Sequence, residues 1–134
     1  MRLTEGMPNG ECRMKYWRID ADDSGESRLA VVDTDFSGTA HTPPAPPVDV
    51  AAPVEVTKHV MMRVPMGWKG DLHRAPRRQL LVMLSGGISV EASSGPSLDL
   101  GPGDLLLLED TVGKGHRTAN TGDEPAFLMM VHLK

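Results

Sequence analysis

The fold of this chain is decided within residues 67–120, where the sequence reads His73-Arg-Ala-Pro-Arg-Arg-Gln79, Leu80-Leu-Val-Met-Leu-Ser-Gly-Gly87, Gly101-Pro-Gly-Asp-Leu-Leu-Leu-Leu108 and Glu109-Asp-Thr-Val-Gly-Lys-Gly-His-Arg-Thr-Ala-Asn120. Short apolar runs alternate here with Gly, Pro, Asn and Asp, which favour turns. No segment has a convincing helical period. The pattern predicts an all-β protein with short antiparallel strands, folded as a barrel or sandwich.

Further strands are predicted on both sides of this stretch. Residues 12–19 and 27–33 should form an opening hairpin, and residues 126–133 a last strand. Residues 54–64 alternate so that one face, which includes Val60, Met62 and Val64, is nearly all apolar and is predicted to join the core. The proline-rich segment at residues 42–47 should run extended and unpaired as a rigid connector.

The length and charge of the chain limit its domain count and its partners. With 134 residues, residues 1–134 are predicted to form a single domain, in which residues 1–53 supply N-terminal strands and the connector and residues 54–134 the core barrel. The formal charge of −4 offers no basic surface for nucleic acid or an anionic membrane. The single Cys12 excludes an internal disulfide. Because no apolar signal segment follows Met1, we expect a cytoplasmic protein. Because the charge argues against nucleic acid and membrane, we expect its ligand to be a small molecule.

The order of the histidine segments resembles the two signature motifs of the cupin superfamily, small β-barrels of the RmlC-like jelly-roll type that often hold a metal ion. In the first motif, His73 matches the first histidine, Ala75 stands where a second histidine is usual, and Gln79 replaces a glutamate. In the second motif, Gly103 matches the opening glycine and His116-Arg-Thr-Ala-Asn120 the ending, although the segment between them is longer and lacks a proline. The chain looks most like small single-domain bacterial cupins, and this similarity implies a homodimer.

The resemblance also implies a metal site, formed here by His73, Gln79 and His116. Imidazole binds iron, manganese, nickel and zinc, but a neutral amide contributes less than a carboxylate. Because Ala75 and Gln79 occupy two of the ligand positions, a divalent transition metal should bind weakly or not at all. Two interpretations stay open: a three-ligand metal site, or a metal-free pocket in which the imidazoles form hydrogen bonds.

The candidate site residues follow from strand parity. His73, Ala75, Arg77 and Gln79 share one face of their segment, and His116, Thr118 and Asn120 share one face of another, so both histidines should point into the barrel. Trp68 is predicted to wall the pocket. Met61, Met83, Met129 and Met130 could form a flexible lining, although for most methionines taken singly the filling of core gaps is favoured. His73 and His116 are therefore the predicted catalytic residues. The predicted substrate pocket is formed by Trp68, Arg77, Gln79, Met83 and Thr118.

Three arginines and one loop complete the predicted site. Arg74, Arg77 and Arg78 could attract a carboxylate or phosphate at the pocket entrance, or could simply pair with nearby acids. In residues 109–115, Glu109, Asp110 or Lys114 could orient His116 or close the pocket, unless the loop is a plain hairpin. The other histidines, His41, His59 and His132, are predicted to be surface or structural residues.

Three functions are compatible with these patterns. The first is an enzyme that acts on a small carbonyl or carboxylate metabolite as an isomerase, cyclase, lyase or dioxygenase, with an imidazole as general acid or base. The second is a binding or sensing module that holds a metabolite without changing it. The third is a scaffold role through dimerisation. No nucleophile elbow, phosphate-binding glycine loop or paired-cysteine zinc motif is present in the sequence.

Overall fold

The structure, a computed structural model, describes residues 13–134 and contains eleven β-strands. Cys12, the first residue of a predicted strand, lies outside the described residues. The strands are β1 (Arg13–Ala21), β2 (Ser27–Asp35), β3 (Gly38–Ala40), β4 (Val48–Val50), β5 (Val56–Val64), β6 (Gln79–Ser85), β7 (Ile88–Ala92), β8 (Ser97–Leu100), β9 (Leu105–Leu108), β10 (His116–Ala119) and β11 (Ala126–Leu133).

The strands form two main sheets and one small hairpin. A six-stranded sheet has the order β2-β1-β9-β6-β11-β5, and a three-stranded sheet has the order β10-β7-β8. All pairings are antiparallel except the short contact of β1 with β9. The described residues contain no helix, and so none that could cross a membrane. The prediction of an all-β, antiparallel jelly roll is therefore confirmed.

One hydrophobic core joins the two sheets. Leu81 and Met83 of β6, Leu106 of β9 and Leu128 of β11 meet Val90 of β7, and all five side chains are buried. The alternation of apolar residues along β6 and β11 places every second side chain in this core. Each fully buried Leu or Val contributes roughly 1.5–3 kcal/mol relative to exposure. The packed core thus lies between the sheets and leaves room for a cavity beside it.

The opening hairpin forms as predicted, with slightly longer strands. β1 and β2 pair over their whole length, from Arg13 opposite Asp35 to Ala21 opposite Ser27. In the turn between them, the carboxylate of Asp22 accepts hydrogen bonds from the backbone N–H and the hydroxyl of Ser24, at 2.8 and 2.6 Å. These bonds hold the pKa of Asp22 below its usual value.

The proline-rich segment is a turn, so the prediction of an extended run was wrong, although residues 42–47 are exposed and belong to no strand, as predicted. β3 and β4 pair on either side of it as a two-stranded hairpin. The backbone N–H of Ala45 donates to the carbonyl of Thr42 at 3.0 Å across a cis Pro43–Pro44 bond. The prolines fix the local dihedrals, but the flanking residues can still pair because their N–H groups are free to donate.

The apolar face of β5 is only partly in the core, in contrast to the prediction. Val64 is buried, whereas Val60 and Met62 are 41% and 42% exposed. β5 is the edge of the six-stranded sheet and pairs only with β11. Alternation correctly predicts which side chains share a face, but it does not show whether a second layer covers that face.

Candidate active site

A cavity of about 400 Å³ lies between the two sheets beside the packed core. Its walls are mostly apolar, with Val60, Leu81 and Leu106 from the large sheet and Ile88 and Val90 from the small one. Its polar side chains are few and come from both sheets. They are His73, Arg77, Gln79, His116, Thr118 and His132, with the amphipathic Trp68 beside them. A mostly apolar cavity with a few convergent polar groups is the usual form of a small-molecule site.

The two histidines of the sequence motifs lie side by side in this cavity. The N–H of His73 donates to the carbonyl of His116 at 2.9 Å, and the N–H of His116 donates to the carbonyl of His73 at 2.8 Å. This backbone pair brings the ring centroids to 4.7 Å, with the ring planes at 54°. His116 is buried, whereas His73 is exposed at the cavity mouth. Both rings therefore lie on the cavity wall, with His73 placed there by an isolated bridge to His116 and not by a strand of its own.

A neighbouring oxygen fixes the proton position of each imidazole. The Nδ1 atom of His73 lies 2.9 Å from the carbonyl oxygen of Asp71, which can only accept, so Nδ1 carries the proton. The Nδ1 atom of His116 lies 2.5 Å from Oδ2 of Asp110, and a carboxylate likewise only accepts. In the neutral form, both rings therefore keep an unprotonated Nε2 as a base or a ligand.

Asp110 is the residue of the 109–115 loop that orients His116. Its side chain is completely buried, and its backbone carbonyl accepts a hydrogen bond from the N–H of Ala75 at 3.1 Å. Within residues 13–134 its Oδ1 atom has no hydrogen-bond partner. Burying a carboxylate is costly, so the strong bond to the imidazole is its main compensation.

The rest of the loop is held against the β1–β2 turn. Lys114 forms an ion pair with Glu26, and its backbone N–H donates to the carbonyl of Gly25 at 2.8 Å. The hydrogen bond from Lys114, followed by that from Ser93, holds the pKa of Glu26 below its usual value. The buried hydroxyl of Ser27 donates to the carbonyl of Gly115 at 2.6 Å. The contacts of Lys114 and Gly115 thus join the loop to the β1–β2 hairpin.

Glu109 binds arginines and does not contact the histidines. Its Oε2 atom accepts from Nε of Arg78 at 2.8 Å, and Oε1 lies 3.8 Å from Nε of Arg18. Arg78 is thereby held away from the cavity, and Arg74 does not line it either. Arg77 is the arginine that lines the cavity.

Three of the four methionines considered as pocket lining, Met61, Met83 and Met129, are not among the residues that line the cavity. Met83 is 1% exposed and belongs to the packed core on the inward face of β6. Met61 and Met129 face outward on β5 and β11, opposite each other in the register. Met130 does line the cavity, as does Met62. Of the other predicted pocket residues, Trp68, Arg77, Gln79 and Thr118 line the cavity.

His132 lines the cavity, whereas it was predicted to be a surface or structural residue. It stands two residues after Met130 on β11, and it pairs with Gln79 of β6. Burial, and then the charges of Arg77 and Lys58, lower the pKa of His132. The sequence contained the signal, because Leu128, Met130 and His132 have the same parity.

Asn120 supports the strand ends and is absent from the cavity wall. Its side-chain amide donates to the carbonyls of Val64 and Glu124 at 3.2 and 2.9 Å, and its Oδ1 accepts from the N–H of Gly122 at 3.0 Å. Asn120 is also buried. The asparagine that ends the second motif therefore has a structural role in this chain.

Replacement of Asn120 by alanine should lower the free energy of unfolding by about 1–3 kcal/mol, because the buried carbonyl of Val64 and the partly buried carbonyl of Glu124 and N–H of Gly122 lose their partner. Urea denaturation followed by tryptophan fluorescence measures this change. Thr121→Ala is a matched control, since Thr121 is exposed on the adjacent position. Equal stability of the two variants would contradict the structural role.

The fold and the cavity together define a jelly-roll domain that can enclose a small molecule. A family model described as "Cupin domain" matches residues 60–132, which is more than half of the chain. The chain belongs to the cupin family. A search of curated proteins found no match.

Three solved structures that are similar to this chain are as follows. A Cupin 2 conserved barrel domain protein from Salinispora arenicola CNS-205 is 17% identical with a TM-score of 0.48, over 57% of this chain and 61% of that one. A cupin domain from Bordetella pertussis Tohama I is 19% identical with a TM-score of 0.47, over 61% and 90%. The DMSP lyase DddQ from Ruegeria pomeroyi DSS-3 is 19% identical with a TM-score of 0.50, over 63% and 41%. The similarity to DddQ, which has the highest TM-score of these three, concerns the fold alone.

The side chains present do not fit a tight four-ligand metal centre of the kind that the family implies. The position of a second histidine is occupied by Ala75, which is buried and has no donor atom, and Gln79 offers only a neutral amide. Within residues 13–134, no three His, Cys, Asp or Glu side chains are grouped so that they could hold a metal ion. The strong donors that remain at these motif positions are the imidazoles of His73 and His116.

Proposed function

We propose that this protein is an enzyme in which the His73–His116 pair moves a proton on a small carbonyl compound bound in the cavity. The observation that supports this most directly is the orientation of both rings by Nδ1 hydrogen bonds, which leaves each Nε2 as a base. An imidazole titrates near neutrality and can accept and return a proton at physiological pH.

The chemistry that these groups favour is enolisation. One Nε2 removes a proton from the carbon next to the carbonyl, and the electrons of the C–H bond form the enolate. The resulting imidazolium returns a proton to the same carbon and restores the carbonyl, so that no oxidant or reductant is needed. Asp110 stabilises a protonated His116 because its carboxylate accepts the Nδ1 proton.

The apolar cavity walls contribute to this reaction in two ways. They bind the carbon skeleton of the substrate, and they exclude water from the base. Trp68 lines the cavity, and its indole packs against Gly70. Isomerase and cyclase reactions both begin with the same proton removal.

Deuterium exchange tests the proposal without knowledge of the product. Small ketones and 2-oxo acids are incubated in D₂O with the protein, and mass spectrometry measures incorporation of deuterium next to the carbonyl. The wild type should accelerate exchange of at least one compound, and a His73→Ala, His116→Ala double variant should lose about 100-fold or more of that acceleration. A His41→Ala, His59→Ala variant is the matched control, because neither of those histidines lines the cavity.

Two results of this experiment would overturn the proposal. Equal exchange by the wild type and the double variant would show that the histidine pair is not the base. Saturable binding of a compound without exchange would instead indicate a non-catalytic binding or sensing protein.

The metal content of the protein should be low. We expect tag-free wild-type protein to carry well below one equivalent of iron, manganese, nickel or zinc, because two imidazoles and an amide form a weak donor set. Elemental mass spectrometry of the wild type and the double histidine variant measures this directly. Near one equivalent in the wild type, lost in the double variant, would contradict the metal-free proposal and establish a working metal centre.

A homodimer is proposed as the assembly, following the family resemblance. The outer face of the β5–β11–β6 region supports it, because the apolar side chains of Met61, Leu84 and Phe127 are exposed there. An exposed apolar group of this kind is typical of a protein contact surface.

A further inference from the structure

A second set of polar side chains, Gln79 and His132, lies on the cavity wall in the large sheet. This set is separate from the backbone bridge that joins His73 to His116. In the register of the sheet, His132 of β11 is opposite Gln79 of β6 on one side and Lys58 of β5 on the other. Residues directly opposite each other in a sheet project from the same face. Gln79 and His132 both line the cavity, so this row of polar groups faces the bound molecule.

Arg77 adds a permanent positive charge to this row. It lines the cavity, and its charge and that of Lys58 act on His132. Within residues 13–134, Arg77 has no carboxylate partner, whereas its neighbour Arg78 is paired with Glu109. An arginine that faces a ligand cavity without an ion-pair partner is available to bind an anion.

The other groups of the cavity wall favour an anion as well. No Asp or Glu side chain lines the cavity among the described residues. The Nδ1 atom of His132 is buried and has no hydrogen-bond partner within residues 13–134. Gln79 offers an amide that can donate. A negatively charged group would therefore meet donors and a cation, with no competing carboxylate on the wall.

We propose that Arg77 and His132 form a carboxylate-binding subsite, so that the ligand of this cavity is a small monocarboxylate with an apolar body. Arg77 binds the two carboxylate oxygens through its planar guanidinium, and His132 supplies a further hydrogen bond. The subsite deepens the function proposed above, because it makes the carbonyl substrate a carbonyl acid. A single arginine in an apolar cavity suits one negative charge better than the two of a phosphate.

Hexanoate and its neutral analogue hexanamide test the subsite directly. Isothermal titration calorimetry measures both affinities for the wild type, Arg77→Gln, His132→Gln and the matched control Arg74→Gln. Hexanoate should bind the wild type about tenfold or more tightly than hexanamide, because a hydrogen-bonded charge is lost in the amide. Arg77→Gln should remove about tenfold of the hexanoate affinity and leave hexanamide unchanged.

The control variant and two further probes make the result decisive. Arg74→Gln should bind hexanoate like the wild type, since Arg74 does not line the cavity. In a ¹H–¹³C NMR spectrum, hexanoate should shift the His132 imidazole signal, which is assigned by its loss in His132→Gln. Hexyl phosphate should bind more weakly than hexanoate; tighter binding would replace the carboxylate by a phosphate and overturn the proposal.

Other results would also overturn it. These are equal affinity for hexanoate and hexanamide, no saturable binding of hexanoate, or an equal effect of Arg77→Gln and Arg74→Gln. The subsite and the acid–base function can fail separately. Hexanoate binding that depends on Arg77, in a protein without deuterium exchange, would leave the subsite standing and remove only the enzymatic proposal.

Discussion

Replacement of Gly115 by alanine should destabilise the protein by about 3 kcal/mol or more and separate His73 from His116. Gly115 has a φ of +81°, which an L-residue adopts only with strain. An added Cβ would overlap the carbonyl group of His73 and the backbone nitrogen of Arg74. Since these are backbone atoms, no side-chain rotation relieves the overlap, and the hydrogen bonds between His73 and His116 must break.

Gly113→Ala is a closely matched control for this prediction. Gly113 has a φ of +82°, and an added Cβ there would overlap the backbone of Gly25 in the β1–β2 turn. Both variants should lose stability in urea denaturation, but only Gly115→Ala should shift the ¹H–¹³C imidazole signals of His73 and His116 strongly. Wild-type histidine signals in Gly115→Ala would refute the role of this glycine in the site.

Replacement of Asp110 by asparagine should reverse the tautomer of His116 and remove proton transfer by that residue. The carboxylate accepts the Nδ1 proton at 2.5 Å, whereas an amide can turn its NH₂ group toward Nδ1 and force the proton to Nε2. Because the pair is buried, the variant should also lose about 1–3 kcal/mol of stability.

The ¹⁵N chemical shifts of the imidazole ring measure the tautomer directly, since protonated and unprotonated ring nitrogens have well-separated signals. Asp71→Asn provides the matched control, because His73 is held by the backbone carbonyl of Asp71 and not by its side chain. That variant should keep the tautomer of His73. If Asp110→Asn kept Nδ1 protonated and retained full deuterium exchange, Asp110 would not be a positioning residue.

The fold could be predicted from sequence because its signals are local. Short apolar runs between turn residues specify antiparallel strands, and alternation within each run specifies the buried face. The same parity brought His73, Gln79 and His116 toward one interior. The exposed state of β5 could not be predicted in this way, because exposure depends on the absence of a covering layer and not on the strand itself.

The features of the site that could not be predicted from the sequence depend on contacts between distant segments. Asp110 could only be proposed together with Glu109 and Lys114, because the positive φ angles of the loop glycines determine which side chain turns inward. Met83 and Met130 both have inward parity, yet Met130 lines the cavity whereas Met83 packs in the core. His132 was overlooked although its parity matched that of Met130, because its partner Gln79 is distant in sequence.

The edge position of β5 determines how selective this cavity can be. Val60 and Met62 form part of its wall, yet they stand on a strand with a single hydrogen-bonded neighbour. Edge strands open locally at a lower free-energy cost than strands paired on both sides. We therefore expect this wall to adapt to ligands of different length, while the two backbone hydrogen bonds between His73 and His116 keep the arrangement of that pair on the opposite side of the cavity. If the proposed proton transfer is confirmed, its geometry would be kept in the same way. Chemistry would be fixed by one sheet and substrate range by the other, so that new specificities could arise through β5 without loss of the reaction.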